Sequence, residues 1–169
     1  MFRPDDPIEL IGGQLIVSEP QSSPHYTAIG LVEDALKAAL GPGWLVRPRG
    51  PIALDDESEP EPDVTVVSGD RRTYSREHPA RPVLVVEVAL SSLAFDRHHK
   101  GSVYARARLE DYWILNLVDR ALEIYRQPVA DASAPFGWRY DRMDRFTAEA
   151  FVTPLVAPAA RIAVRDMLP

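Results

Sequence analysis

The chain has 169 residues, 46% of them apolar, which leads us to expect one globular domain spanning residues 1–169 with a core of its own. It has no cysteine, which excludes a disulfide framework and a thiolate metal centre and suits a reducing cytoplasm. A net charge of −6 argues mildly against a general nucleic-acid binder.

The opening Met1-Phe2-Arg3-Pro4-Asp5-Asp6 lacks the basic and apolar regions of a signal peptide. No apolar stretch approaches the roughly 20 residues that span a bilayer, so no membrane partner is expected. Ile8 to Val17 reads as two short strands around the turn signal Gly12-Gly13. Pro20 to Pro24 is a loop. Ser23-Pro24 then reads as an N-cap followed by proline at the first helical position. The helix should run to about Leu40 and stop at Gly41-Pro42-Gly43. Ile29, Val32, Leu36 and Leu40 form its apolar stripe.

Trp44 to Arg47 reads as a strand, and Pro48 to Pro62 as a loop with the apolar piece Ile52-Ala53-Leu54. Asp63 to Val67 is a strand, followed by a polar, basic loop. Val83 to Leu90 is an apolar run suited to a strand buried on both faces. A helix follows from about Leu93 to Arg108. Tyr112 to Leu117 and Ala121 to Arg126 read as a hairpin around Val118-Asp119-Arg120. Gln127 to Pro135 reads as a loop, and the tail as short β pieces such as Gly137 to Tyr140 and Arg161 to Val164.

Glu87 is the anomaly in this pattern. It lies inside Val83–Leu90, where an ionised carboxylate is costly unless paired or coordinated. Strand periodicity puts Val85, Glu87 and Ala89 on one face and Leu84, Val86 and Val88 on the other. The residue could be a structural glutamate paired with an arginine. The alternative is that Glu87 and Asp63, from neighbouring strands, share a divalent ion, with the Val88 backbone carbonyl as a further ligand. Hard oxygen donors select Mg²⁺ or Mn²⁺.

Lys100 is the third piece. On a helix through Asp96, residues Asp96, Lys100, Val103 and Ala107 share one face, and that face should look toward the sheet. Lysine is rarely buried without a partner. Its stem could pack while its ammonium reaches water, or it could pair with Asp96 one turn earlier. Beside two carboxylates, its ammonium could instead stabilise negative charge developing on a phosphate. His25 shares a face with Ile29 and reads as a hydrogen-bonded, partly buried histidine rather than a ligand. Glu33, on the flank of the same helix, could reach a metal through water or lie on a solvated face. His98 and His99 are adjacent and point apart, so they make no metal pair.

Acid is concentrated in Asp55 to Asp63, base in Arg71 to Arg76 and in Arg97 through Arg108. A compact acidic site flanked by basic segments suits a metal centre that also holds phosphate, although such segments are as readily solvated surface.

The order of these pieces is recognisable. Gly13-Gln14-Leu15-Ile16-Val17-Ser18, Pro24-His25, Pro62-Asp63, Glu87, Asp96-Arg97-His98-His99-Lys100, Tyr104-Ala105 and Glu110 to Leu115 together resemble the Uma-two family of restriction-endonuclease-type proteins, in the PD-(D/E)XK nuclease superfamily. The resemblance covers roughly Ile8 to Arg126. It implies an α/β (α+β type) fold: a mixed β-sheet flanked by helices, with an N-terminal β-hairpin, a C-terminal β-rich tail and a site where two central strands diverge. It implies that Asp63 and Glu87 bind the metal. The superfamily's lysine two residues after the glutamate is replaced here by Ala89, and Lys100 fits a migrated position on the following helix. The family's Ser-Pro after the glutamate is only partly kept, as Ser91-Ser92.

Two functions follow, besides a third reading as a metal-dependent enzyme acting on another phosphate substrate. One is a Mg²⁺-dependent endonuclease acting on DNA, with Asp63, Glu87 and Lys100 catalytic and His25, Glu33, Asp96 and Tyr104 as secondary candidates. A homodimer is expected, since cutting both strands needs two sites. The other is an inactive nucleic-acid-binding or interaction module that keeps the fold.

Overall fold

Residues 6–18 and 20–169 are described in a computed structural model. Of the segment read for targeting signals, only Asp6 falls within the described residues. β1 (Ile8–Ile11) and β2 (Gln14–Val17) pair antiparallel around Gly12 and Gly13, both at positive φ (54° and 79°) as the tight turn requires. β1 buries Glu9 and Ile11 on one face.

α1 (Ser23–Ala39) starts one residue earlier than its sequence signal. Ser22, not Ser23, is the N-cap, and its hydroxyl accepts from the His25 amide at 3.5 Å. Pro24 sits in the first turn, where its missing N–H costs nothing. The buried stripe is Ala28, Ile29, Val32 and Leu36.

Six strands form the main sheet, in the order β3-β4-β5-β6-β7-β8: β3 (Trp44–Pro48), β4 (Val64–Ser68), β5 (Leu84–Ala89), β6 (Tyr112–Asn116), β7 (Ala121–Ala130) and β8 (Trp138–Thr147). Only β5 and β6 run parallel, and the helical crossover between them makes this possible. β9 (Phe151–Val152) and β10 (Ile162–Ala163) form a separate pair, and a short 3₁₀ turn (Val164–Met167) follows. No helix among the described residues is long and apolar enough to cross a membrane.

The two faces of β5 meet different layers. Leu84, Val86 and Val88 pack with Val64, Val66 and the α1 stripe, while Val85 and Ala89 pack with Tyr104, Tyr112, Ile114 and Ile52. Each fully buried Val, Leu or Ile is worth about 1.5–3 kcal/mol. A slip of one residue would turn Glu87 into the apolar layer under α1, so this packing fixes the register as well as the fold.

The crossover is not one regular helix. α2 (Leu93–Phe95) runs into a π turn (Asp96–Lys100), where the Gly101 amide reaches back to the Asp96 carbonyl, and then into α3 (Gly101–Arg106). The helix stops at Arg106 because the chain turns left-handed at Arg108 (φ 60°). Ala107 is therefore exposed and does not share the inner face with Asp96, Lys100 and Val103, which are buried. A second departure lies in the tail. The expected loop from Gln127 is strand as far as Ala130, opposite β8. Pro128 is tolerated there because the ladder is irregular at Gln127, whose φ is 61°.

Candidate active site

β4 pairs with β5 only from Val64 to Val66, opposite Val86 to Leu84. Beyond Val64 the two strands part, and Asp63 fills the gap. Its Oδ2 accepts from the Val88 amide at 2.7 Å, and its own amide donates to Glu87 Oε2 at 3.4 Å. Where the ladder ends, a side chain has replaced a backbone carbonyl as the partner of β5. This positions the Asp63 carboxylate beside Glu87 without a regular strand to hold it.

Glu87 is 3% exposed. Its Oε1 accepts from Lys100 Nζ at 3.1 Å and from the Tyr104 hydroxyl at 2.7 Å. Lys100 and Tyr104 are four residues apart, one helical turn, so they descend on the same oxygen from one face. The π turn matters here: it buries both Asp96 and Lys100 on the sheet side. Such turns recur at functional sites. Lys100 does not pair with Asp96. Asp96 Oδ2 instead accepts from Ser92 Oγ at 2.6 Å, and its carbonyl accepts from the Tyr112 hydroxyl at 2.9 Å.

The second partner of Lys100 is Glu9. Its two oxygens lie 3.0 and 3.1 Å from Nζ, and Oε1 also accepts from the Glu61 amide at 3.1 Å. Glu9 was missed in the sequence. Its signal was the one that singled out Glu87, an acid on the buried face of an apolar strand (Ile8-Glu9-Leu10-Ile11), in a run too short to stand out. The hairpin is held over the site by backbone bonds between Leu10 and Glu59 at 2.8 and 3.4 Å.

His25, at the start of α1, donates from Nε2 to the Val88 carbonyl at 2.7 Å and lies 3.5 Å from Asp63 Oδ2. Its bond to Asp63, against the opposing effect of burial, raises its pKa above the usual 6.5. Glu33 is not brought to the site; it pairs with Lys37 one turn further along α1. Arg97 is drawn off to Glu123, and Arg106 to Asp55 and Glu57, so part of the basic segment is spent internally.

Glu9, Asp63, Glu87, Asp96, Lys100 and His25 all line one open cavity of about 720 Å³. With Glu61 and Arg49, which also line it, five carboxylates face one lysine, one arginine and one histidine. Burial, reinforced by the neighbouring carboxylates Asp63, Asp96 and Glu9, pushes Glu87 well above the usual carboxylate range despite Lys100. Burial likewise raises Asp96 to about 6, with Lys100 and Ser92 opposing. Burial alone would lower Lys100, but Glu87, Glu9, Asp96 and Asp63 outweigh it and hold the ammonium in its charged form. At roughly 3 Å and an effective dielectric near 20, the Lys100–Glu87 attraction is on the order of 5 kcal/mol before desolvation. Desolvation of the two ions is of similar size, so the pair contributes more to placement than to stability.

This surplus of negative charge is what a small hard dication would neutralise. Asp63 and Glu87 supply hard oxygens, and Asp63 Oδ1 takes no hydrogen bond among the described residues. The Val88 carbonyl already accepts from His25 but keeps a second lone pair. Among the described residues no group of three or more His, Cys, Asp or Glu side chains is arranged to hold a metal. Two carboxylates are as many as Mg²⁺, which retains several waters, takes from a protein, so Asp63 and Glu87 would be the residues to hold such an ion.

No curated protein matches the chain significantly. Among solved structures it is similar to the crystal structure of "a putative nuclease belonging to DUF820" from Anabaena variabilis, with a TM-score of 0.67 and 12% identity over 95% of this chain and 88% of that chain. At that identity the likeness shows a shared fold, a mixed sheet flanked by helices. The family model described as "Uma2: Putative restriction endonuclease" matches residues 2–159. With the match running from before the N-terminal hairpin to the loop beyond β9, the chain belongs to the Uma2 family of restriction-endonuclease-type proteins.

Proposed function

We propose that this chain is a single-domain, cytoplasmic, metal-dependent endonuclease that hydrolyses phosphodiester bonds in DNA. The observation that carries the reading is Lys100. It reaches the Glu87 carboxylate from a helix, beside Asp63, in an open cavity with an excess of acid. That is the charge arrangement expected if the lysine has moved off the strand without leaving the site.

Asp63 and Glu87 would hold Mg²⁺ or Mn²⁺, with the Val88 carbonyl beside them. The bound ion would supply Lewis-acid polarisation of the phosphate and lower the pKa of a water. Glu87, Glu9, Asp96 and Asp63 favour the charged form of Lys100, which suits an orienting ammonium better than a general base. Its ammonium orients water or phosphate oxygens and stabilises the negative charge that develops on them. Tyr104 fixes the Glu87 carboxylate through its 2.7 Å hydrogen bond and leaves Oε2 toward Asp63. Arg49, also on the cavity wall, offers a cation to a backbone phosphate.

The test is nicking of supercoiled plasmid by purified protein with Mg²⁺ or Mn²⁺. Asp63→Ala, Glu87→Ala and Lys100→Ala should each abolish it, and activity surviving all three would overturn the proposal. One observation favours the inactive-module reading: Lys100 is already gripped by two carboxylates. Titration calorimetry with Mn²⁺ separates the two. The nuclease reading requires a site-specific heat that Glu87→Gln removes; an inactive module needs none.

A further inference from the structure

The outer edge of β8 carries a self-complementary charge pattern. No strand among the described residues pairs with this edge, which ends the six-stranded sheet. Its centre reads Asp141-Arg142-Met143-Asp144-Arg145. Exposed edges invite pairing with another chain, and charged residues usually discourage it. Here the signs alternate so that they discourage most partners and suit one.

We propose that the β8 edge is the homodimer interface, at which a second copy of this chain pairs antiparallel through a two-fold axis at Met143 and extends the sheet from six strands to twelve. Two antiparallel edge strands in one continuous sheet are related by an axis perpendicular to the sheet. Opposed residues then share a face, and the axis passes through one residue position. Centred on Met143, Arg142 lies opposite Asp144 of the second copy, and Asp141 lies opposite its Arg145. Both relations occur twice. Every charge from Asp141 to Arg145 meets its opposite. Moving the axis one residue either way sets Arg142 against Arg142 or Asp144 against Asp144. Like charges directly opposite are destabilising, so the pattern selects one register.

The local structure agrees. Asp141, Arg142 and Met143 are consecutively exposed, the only run of three exposed residues in β8. Met143, at 51% exposure, is one of the most exposed large apolar side chains described, and at the axis it would meet its own copy. The charges are already paired within one copy: Arg142 Nε is 2.6 Å from Asp144 Oδ2 along the strand, Asp141 Oδ1 is 2.9 Å from Arg139 Nη1, and Arg145 Nη2 is 3.3 Å from Asp119 Oδ2 in the turn between β6 and β7. A second strand would share the Arg142–Asp144 pair between the two copies and draw Asp141 and Arg145 toward each other in exchange for Arg139 and Asp119. The interface is built of backbone hydrogen bonds and exposed ion pairs, so it should weaken with salt. It goes beyond the nuclease reading and does not depend on it, since neither DNA nor metal takes part.

Sedimentation-equilibrium or light-scattering mass, without metal or DNA, tests it. Wild type should be a dimer at tens of micromolar and dissociate at least tenfold more readily in 1 M NaCl. Asp141→Arg and Arg145→Asp should each be monomeric, because each sets like charges opposite twice. An equimolar mixture of the two variants should dimerise again, since both contacts become Arg opposite Asp, and the double variant should dimerise alone. A monomeric wild type, or single variants as dimeric as wild type, overturns the proposal. The mixed-variant rescue guards against misfolding, because a misfolded variant would not be restored by its complement.

Discussion

Lys100 and Glu87 are joined Nζ to Oε1 at 3.1 Å in a setting almost closed to water, 3% exposure for the glutamate and 7% for the lysine. Thirteen residues and a π turn separate them in the chain. The pair is held by its surroundings: Tyr104 on the same glutamate oxygen and Glu9 on the other side of the ammonium. Such an arrangement is sensitive to the loss of any one member and to protons.

Removing the cation should be costly. Lys100→Met leaves Glu87 and Glu9 buried without compensation, and loss of one partner of a buried pair costs about 3–5 kcal/mol. Urea unfolding at pH 8 should show that loss. At pH 5 the loss should shrink, because Glu87, already pushed up by burial, can take a proton when Lys100 is gone. An unfolding midpoint unchanged at pH 8 would mean the pair is absent in solution.

Tyr104→Phe removes one hydroxyl from Glu87 and nothing else from the core layer. A hydrogen bond to a charged group is worth about 1.5–3 kcal/mol. Stability should fall by that amount, and nicking should fall more than tenfold as the carboxylate loses its fixed orientation. Wild-type activity in a destabilised variant would show that Glu87 does not need this anchor.

Asp96 should make the fold less stable as pH rises. Its folded pKa is raised from 3.8 to about 6, so the folded state binds a proton more tightly than the unfolded state does. Between those two values the folded form loses its advantage, and above pH 6 the full cost of a buried charge is present, on the order of 3 kcal/mol. Asp96→Asn should therefore stabilise the protein at pH 8 and make little difference at pH 4. Denaturant curves at both pH values check this; equal effects at the two would sink it.

His25 should couple metal binding to pH. Its raised pKa means that pairing with Asp63 stabilises the fold below pH 6.5 and ceases to do so as pH rises through the folded value. The same cation competes with a dication for Asp63. Mn²⁺ affinity, measured by calorimetry, should rise across that range in wild type and be flatter in His25→Gln. Identical pH profiles would separate His25 from the site.

Glu9→Gln should keep the fold and lower nicking at least tenfold. Lys100 keeps Glu87 but loses the two-oxygen contact that holds its ammonium in place. Undiminished cleavage would show that Glu87 positions the lysine alone.

Much of this was legible in the chain. The Val83–Leu90 run, its two faces and the misfit of Glu87 are local patterns, because strand periodicity lies within a few residues. The same holds for α1, with its proline and apolar stripe. The resemblance to the Uma-two family rested on short motifs in order, and the family match bears it out. Glu9 was not legible as a partner of Lys100, for ninety-one residues separate them. The π turn was not legible either. Nor was the end of the helix: periodicity carries it on to Arg108, but it stops at Arg106, so Ala107 leaves the face that Asp96, Lys100 and Val103 share. Nor was the strand through Pro128 legible, since it depends on the opposing β8.

The sequence by itself determined the strands as far as β6 and the first helix, which side of β5 bears the acid, and which residue types can do chemistry, because these follow from the spacing of apolar and charged side chains along the chain; the full length of β7 and β8, expected as a loop and short pieces, came only from their pairing. Only the tertiary structure decided that Glu9 completes the grip on Lys100, that Asp63 takes over the ladder where β4 and β5 part, and that Glu33 stays outside. Those outcomes depend on distances between elements far apart in the chain, which are set by the packing of whole layers and not by any local spacing.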